Sequence, residues 1–368
     1  MKTTEQLHAL GQSLWLDNIT RGLLVDGTLR RYINDFSVTG LTSNPTIFDK
    51  AIKDSGFYDE AIRQKTAEGK SGEALFFELA LEDLTQAADL FHPVHDATLG
   101  VDGWVSMEVS PLLANDAAST IKEAAQLHAQ AQRSNLFIKI PGTRDGVPAI
   151  EESIFAGVPI NVTLLFSPEQ YISSAEAYMR GIERRIGAGL KPKVDSVASL
   201  FVSRWDVAVK DTVPKHLRNR LGIAIAKRTY KVYRDLLASP RWRKLAAAGA
   251  RPQRLLWAST GTKDPEASDT LYIEALAAPD TINTIPEKTL HAFADHGQVK
   301  GALPVDGGDA EAVLAQFTEK GVDHAALADL LQREGTVAFD KSWRELMNCL
   351  AEKSAMLKNV NQAGAGQP

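Results

Sequence analysis

The sequence predicts a single (β/α)8 barrel of the TIM type with additional helices. Three observations lead there: eight short β-like runs, longer stretches of helical periodicity between them, and polar side chains near the C-terminal ends of the runs. The chain of 368 residues is 44% hydrophobic and 24% charged, a balance that buries a sizeable core. Residues 1–360 are expected to form one barrel domain with extra N- and C-terminal helices. The closing segment 361–368, which contains QAGAGQP, is expected to be a disordered tail.

The first run, LWLDNI (14–19), ends on Asp17 and Asn18. The second, SVTGLTS (37–43), ends on Thr42 and Ser43, with Asn44 following. A long connection with a helix candidate at Glu73–Leu90 leads to GWVSMEVS (103–110), where Ser106 and Glu108 share one face of a period-two strand. After a helix candidate at Asp116–Arg133 comes LFIKIPG (136–142). Phe137 and Lys139 share one face there, and Leu136, Ile138 and Ile140 share the other, so Lys139 points into the barrel. VPINVTLLF (158–166) carries Asn161 and Thr163 on one face and is followed by a helix over Pro168–Ile186. DSVASLFVS (195–203) carries Ser199 and leads to Arg204, at the start of a single helix expected over Arg204–Leu237. RLLWASTG (254–261) ends on Ser259 and Thr260, DTINTIP (280–286) is the eighth run, and a helix is expected over Ala325–Leu357.

The apolar stripes Leu75, Leu79, Leu81 to Leu84, and Leu330, Leu331 and Phe339, are expected to be plain core. The single cysteine, Cys349, excludes intrachain disulfides and thiolate metal clusters and falls in a helical pattern that implies packing. The eight histidines are scattered, and His92 and His95, beside Pro93, are expected away from the barrel mouth, so no metal site is predicted. Formal charge is −5 with no basic run interleaved with aromatics, which argues against a nucleic-acid partner. Neither a secretory signal nor a membrane span is read in the chain, so a cytoplasmic location without membrane association is expected. Amphipathic terminal helices suit a monomer or a homodimer equally.

An inward lysine beside an inward glutamate is either a structural ion pair or a nucleophilic amine with an acid/base partner. The hydroxyls, amides and second carboxylate in the same layer favour the amine. Burial that lowers a lysine pKa from about 10.4 toward about 7–8 supplies a free amine able to form a Schiff base with a ketone. The resulting iminium is an electron sink that lets an adjacent C–C bond break. Asp17, Glu108 with Thr163, and Asn44 with Asn161 fit the needs of a base, a group that handles the water lost, and hydroxyl ligands. The turn Ser259–Lys263 at a strand-to-helix junction, with Arg204 beside it, is the place where barrels often hold phosphate. Arg204 has a second reading, a salt bridge to Asp206 or another acid.

The motifs GLTSNPTIF (40–48), VSMEVSP (105–111), NLFIKIPGT (135–143), INVTLLFSPEQY (160–171), SLFVSRWD (199–206) and WASTGTKDP (257–265) resemble the transaldolase family over most of the chain. The resemblance implies an α/β barrel that works without a cofactor on sugar phosphates of the pentose phosphate pathway. It implies transfer of a dihydroxyacetone unit from sedoheptulose 7-phosphate or fructose 6-phosphate to glyceraldehyde 3-phosphate or erythrose 4-phosphate. By the same resemblance Lys139 is the Schiff-base lysine, Asp17 the acid/base at the C4 hydroxyl, and Glu108 with Thr163 the pair that positions water. Thr42, Asn44, Ser106, Asn161, Ser199 and Phe201 match the dihydroxyacetone site, and Arg204 and Ser259 match phosphate contacts. One departure stands out: where many transaldolases read Ala-Ser-Phe-Arg, this chain has Ala258-Ser259-Thr260-Gly261, and Lys263 is the expected replacement for the missing arginine. The nearest rival is a fructose-6-phosphate-type aldolase that releases free dihydroxyacetone. A pyridoxal phosphate barrel and a catalytically silent sugar-phosphate binder are more distant alternatives.

Overall fold

A computed structural model describes the backbone of residues 1–364 and the side chains of residues 1–358. The eight expected runs are eight strands: β1 (Ser13–Leu16), β2 (Val38–Leu41), β3 (Val105–Glu108), β4 (Leu136–Pro141), β5 (Ile160–Leu165), β6 (Ser196–Phe201), β7 (Arg254–Ala258) and β8 (Ile282–Ile285). All pair in parallel in the order β2-β1-β8-β7-β6-β5-β4-β3, so every strand lies beside its neighbours in sequence. The ring closes where β2 meets β3. Gly40 bridges Trp104, the Leu41 N–H donates to the Trp104 carbonyl at 2.9 Å, and the Gly103 N–H donates to the Thr39 carbonyl at 2.8 Å.

Inward positions divide the barrel into two halves. Trp15, Trp104 and Phe137 fill the half nearer the strand N-termini, with Trp104 stacked on Phe137 at 4.0 Å between centroids. Val197, Leu256 and Ile282 belong to the same buried cluster. Two residues farther along the strands, the same faces carry Asp17, Ser106, Lys139 and Ser199. A packed floor therefore lies under a polar layer, as period-two geometry requires. The outward faces and the helices covering them form a larger apolar cluster, which includes Leu136, Ile138, Ile140, Leu75, Leu79 and Leu84.

Short-range signals start several helices. Asn44, Asp116, Ser167 and Ser239 each accept an N–H of the following turn, and after three of them a proline occupies the first helical position. The single helix expected over Arg204–Leu237 is instead three pieces: Ser203–Val209, a 3-10 turn at Lys215–Leu217, and Leu221–Ala238. Pro214 has no N–H to continue the first piece and biases Val213 out of the helical region. Asp206 then caps the next helix by accepting the Leu221 N–H at 2.9 Å and the Gly222 N–H at 3.3 Å.

The long connection after β2 forms three helices, Pro45–Asp54, Asp59–Ala67 and Gly72–Ala97. The last contains Pro93, and His95 packs edge-on against Trp104 at the floor. The C-terminal helix runs from His324 to Gly364, longer than expected. Of the segment 361–368, positions 361–364 are helical backbone and 365–368 lie outside the described residues. Lys353 of this helix donates to the Ile52 and Ser55 carbonyls at 2.5 Å each and pairs with Asp59 at 2.9 Å. Trp343 donates to Glu73 at 2.9 Å. Cys349 is half-buried against the core. In the expected stripe, Leu331 is buried, but Leu330 is 42% exposed. Among the described residues, no helix is long and apolar enough to cross a membrane.

Gly40 is the residue on which closure depends. A β-carbon there would lie 2.7 Å from the Trp104 carbonyl oxygen and 2.7 Å from the Trp15 indole. Gly40→Ala is expected to destabilise the protein by about 1–3 kcal/mol, read from the midpoint of denaturant unfolding. A midpoint equal to wild type would show that backbone closure does not depend on this glycine.

Candidate active site

Lys139 extends from β4 and meets two acceptors. Its Nζ donates to Glu108 Oε2 at 3.1 Å and to the Ser43 carbonyl at 2.9 Å. Register explains the first contact, since Glu108 is the direct partner of Lys139 across β3 and β4. Ser43 is held in turn by its own hydroxyl, which donates to the Ser106 carbonyl at 2.8 Å. The lysine and glutamate side chains are only 7% and 5% exposed, so each is the main compensation for the other's desolvation.

Glu108 Oε1 and Thr163 Oγ1 are both buried without a hydrogen-bond partner among the described residues. Burial pushes the Glu108 carboxyl up, and the Lys139 charge pulls it back only in part. Asp17 is also pushed up by burial, against the opposing charges of Lys139 and Lys263 and a hydrogen bond from Thr42. That bond, Thr42 Oγ1 to Asp17 Oδ1, is 2.9 Å, and Thr42 meets Thr284 at 2.7 Å. Two carboxyl groups with raised proton affinity thus flank one lysine.

Above Lys139 is a cavity of about 420 Å³, lined among others by Asp17, Thr42, Asn44, Thr163, Ser199 and Phe201. Asn44 lines it while its Oδ1 caps the helix Pro45–Asp54 by accepting the Ile47 N–H at 3.1 Å. Ser106 and Asn161, expected beside these residues, are fully buried and hydrogen-bond one another: Asn161 Nδ2 donates to Ser106 Oγ at 3.1 Å, and Ser199 Oγ donates to Asn161 Oδ1 at 2.7 Å. They form a polar shelf next to the lysine, with Lys139 paired to Asn161 in the strand register. Thr260 turns away to Asn283 and the Thr284 carbonyl. Asn18 turns away to Glu287.

The rim of the cavity is cationic. Arg204, Ser259 and Lys263 all line it. The salt-bridge reading of Arg204 with Asp206 fails, because Asp206 is buried and accepts from Tyr272 and the Leu221 and Gly222 N–H groups. The Arg204 guanidinium lies 5.3 Å from the centre of the Phe201 ring, and burial holds its pKa below the usual arginine value. Ser259 adopts a left-handed backbone with φ 55° and meets Ser203 Oγ at 2.9 Å. The Lys263 ammonium folds back to 3.8 Å from where a β-carbon on Gly261 would sit. The Pro286 ring is nearer that point, with Cγ at 3.0 Å, so Lys263 lies beside it at ordinary contact distance.

Lys50 and Phe339 are among the cavity residues that escaped the sequence reading. Lys50 lines the same rim from the helix Pro45–Asp54, and its only signal was its place six residues after Asn44 on that helix. Phe339, assigned to a core stripe, comes from the C-terminal helix and lies with its ring centre 6.0 Å from Lys139 Nζ. Its helical period marked it as apolar but carried no hint that the helix crosses the barrel mouth. Among the described residues no group of three His, Cys, Asp or Glu side chains is placed to hold a metal.

The model of the transaldolase/fructose-6-phosphate aldolase family matches residues 14–350. The chain belongs to that family. Relatives named Transaldolase include one from Parafrankia sp. (strain EAN1pec), 44% identical over 96% of this chain and 98% of its own length. Another, from Arthrobacter sp. (strain FB24), is 44% identical over 94% of this chain and 95% of its own length. A protein named Transaldolase 2 from Nostoc punctiforme is 38% identical over 96% of this chain and 98% of its own length.

Removal of Lys139 would leave Glu108 buried without its cation. Lys139→Met is expected to cost about 3 kcal/mol at pH 8. The sign of its pH dependence follows from proton binding. A buried Glu108 with a raised pKa holds a proton that the unfolded chain has already lost, so stability falls as pH rises above the unfolded value. The cost should therefore be smaller at pH 5, closer to the unfolded value, because protonation of Glu108 removes its need for a cationic partner. Urea unfolding of both proteins at the two pH values tests this, and a pH-independent cost would mean that the pair is not electrostatically coupled.

Proposed function

We propose that the chain is a transaldolase that transfers a dihydroxyacetone unit through a Schiff base on Lys139. The donors are sedoheptulose 7-phosphate or fructose 6-phosphate, and the acceptors glyceraldehyde 3-phosphate or erythrose 4-phosphate. We assign it with these substrates to the cytoplasmic pentose phosphate pathway. The observation that carries the reading is a lysine bonded to a buried carboxylate on the wall of a cavity whose rim is cationic.

The chemistry runs in steps that the geometry can serve. Glu108, made more basic by burial and 3.1 Å from Nζ, accepts the proton that the lysine must lose before it attacks the ketone carbon. The unpaired oxygens of Glu108 and Thr163 hold the water expelled as the carbinolamine becomes an iminium. Asp17 then takes the C4 hydroxyl proton, the C3–C4 bond breaks toward the iminium, and an aldose phosphate leaves an enamine on Lys139. Attack of the enamine carbon on the acceptor aldehyde forms the new C–C bond, and Asp17 returns its proton to the new hydroxyl. Water hydrolyses the iminium and frees the lysine. Asn44, Ser199 and Thr42 are placed to bind the substrate hydroxyls, while Ser106 and Asn161 hold that layer from behind. Phe201 forms an apolar wall beside the lysine, and Arg204, Ser259 and Lys263 bind phosphate, with Lys50 as a further cation on the rim.

Borohydride reduction of the protein with fructose 6-phosphate, in the absence of acceptor, is expected to leave a three-carbon adduct on Lys139, located by peptide mass mapping. Lys139→Ala should fold and lose turnover by at least about 10³-fold. An unmodified lysine in folded, sugar-binding protein would remove the Schiff-base reading.

Lys263→Ala and Lys50→Ala are each expected to raise KM for glyceraldehyde 3-phosphate by about tenfold, the loss of one charge-assisted contact, with KM for unphosphorylated glyceraldehyde unchanged. An unchanged KM for the phosphorylated sugar would exclude that lysine from the phosphate site.

A further inference from the structure

The barrel strands and the segments that directly follow them supply every group used above, yet one wall of the cavity comes from elsewhere. Phe339 belongs to the helix His324–Gly364, far along the chain from the strand ends it faces. The segment carrying it is fixed at several points. Gln332 Nε2 donates to the Leu164 carbonyl at 2.9 Å, within β5 and one residue after Thr163, and to the Gly142 carbonyl at 3.1 Å, just beyond the end of β4, which carries Lys139. Leu164 itself has φ 59°, a left-handed conformation that breaks the β5–β6 register and turns its carbonyl out of the ladder. Gly335 lets the helix approach closely, since a β-carbon there would sit 2.9 Å from Leu164 Cδ2 and 3.4 Å from the Arg204 guanidinium. Ser342 accepts from Thr46 at 2.9 Å, one residue from the Asn44–Pro45 helix start that borders the cavity. Between these anchors, Phe339 packs against the buried cluster that contains Phe201, Phe166 and Leu164.

We propose that Phe339 is a specificity-determining residue that keeps water from the Lys139 enamine and so directs it to transfer instead of release. The inference rests on the transaldolase reading. The enamine has two fates. Its terminal carbon attacks an acceptor aldehyde, forming a C–C bond, or it takes a proton from water, forming a C–H bond. In the second case the hydroxide left behind recovers the proton held by Asp17, water adds to the iminium carbon, and the lysine departs with free dihydroxyacetone as product. No oxidant or further reactant is needed, and the water lost in forming the imine is the water consumed in its hydrolysis. The two fates differ in whether water can protonate the terminal carbon, since hydrolysis at the carbon attached to the lysine ends both. Phe201 and Phe339 both line the cavity that holds the lysine, and the Phe339 ring centre lies 6.0 Å from Lys139 Nζ. Neither side chain has a hydroxyl to order a proton-donating water.

The test measures two products from fructose 6-phosphate with a fixed concentration of erythrose 4-phosphate: sedoheptulose 7-phosphate from transfer and free dihydroxyacetone from release. Phe339→Ala is expected to raise the ratio of release to transfer by about tenfold, and Phe339→Leu, which keeps most of the packing, by a smaller factor of about three. A wild-type ratio in either folded variant, or a proportional fall of both products, would make Phe339 a packing residue and overturn the proposal. Both of those results leave the transaldolase reading intact, because borohydride trapping on Lys139 tests that reading separately. Failure of the wild-type protein to be trapped or to form either product would instead remove the reading on which the inference rests.

Discussion

An ammonium held inside a parallel barrel is the constraint around which the rest of the structure is organised. Lys139 sits on a strand whose other residues are apolar, and its charge is costly there unless acceptors are already in place. Parallel register supplies them. β3 puts Glu108 directly opposite, and the loop after β2 brings in the Ser43 carbonyl. Each acceptor is fixed by a separate element, so the lysine cannot be satisfied until the strands are paired. The charge thereby makes the geometry of the site depend on correct closure of the barrel.

That dependence accounts for the division of the interior. A polar layer tolerates little movement, because every displaced group loses a bond that water cannot replace. The stacked Trp104 and Phe137, with Trp15 beside them, provide an incompressible floor two residues below. Gly40 makes the floor possible by allowing β2 to approach both the Trp15 ring and the Trp104 backbone. Ser106, Asn161 and Ser199 then link β3, β5 and β6 by side-chain bonds at the level of the lysine, spanning β4. Rigidity below and bonding across the layer leave the unpaired oxygens of Glu108 and Thr163 held in place in the polar layer, which is the preorganisation that proton and water transfer require.

The strands and the inward residues were legible in the sequence because period two is a local property. Placing Lys139 on one face of LFIKIPG also placed Phe137 there, and the structure has both inside. The helix broken at Pro214 was misread because hydrophobic periodicity resumes after the proline, and the capping of Leu221 by Asp206 spans fifteen positions that no window joins. Ser106 and Asn161 were correctly placed in the layer, but whether a side chain faces substrate or a neighbouring strand depends on its partner's length and register. Lys50 and Phe339 were missed for a different reason. Each belongs to a helix whose periodicity states which face is apolar, and neither helix's direction across the barrel is encoded within itself.

Direction came from contacts between the two parts of the chain that a minimal barrel does not need. The three helices after β2 and the long C-terminal helix are tied together by Lys353 with the Ile52 and Ser55 carbonyls, by Trp343 with Glu73, and by Thr46 with Ser342. Neither part alone has a reason to cross the mouth. Joined, they form a brace that brings Lys50 and Phe339 to the same cavity. One additional structure therefore brings both a cation and an apolar ring to the cavity. Such a division suits a substrate that is anionic at one terminus and needs protection from water at the other. In the proposed mechanism the barrel provides the reactive lysine, and the brace governs how much solvent reaches it.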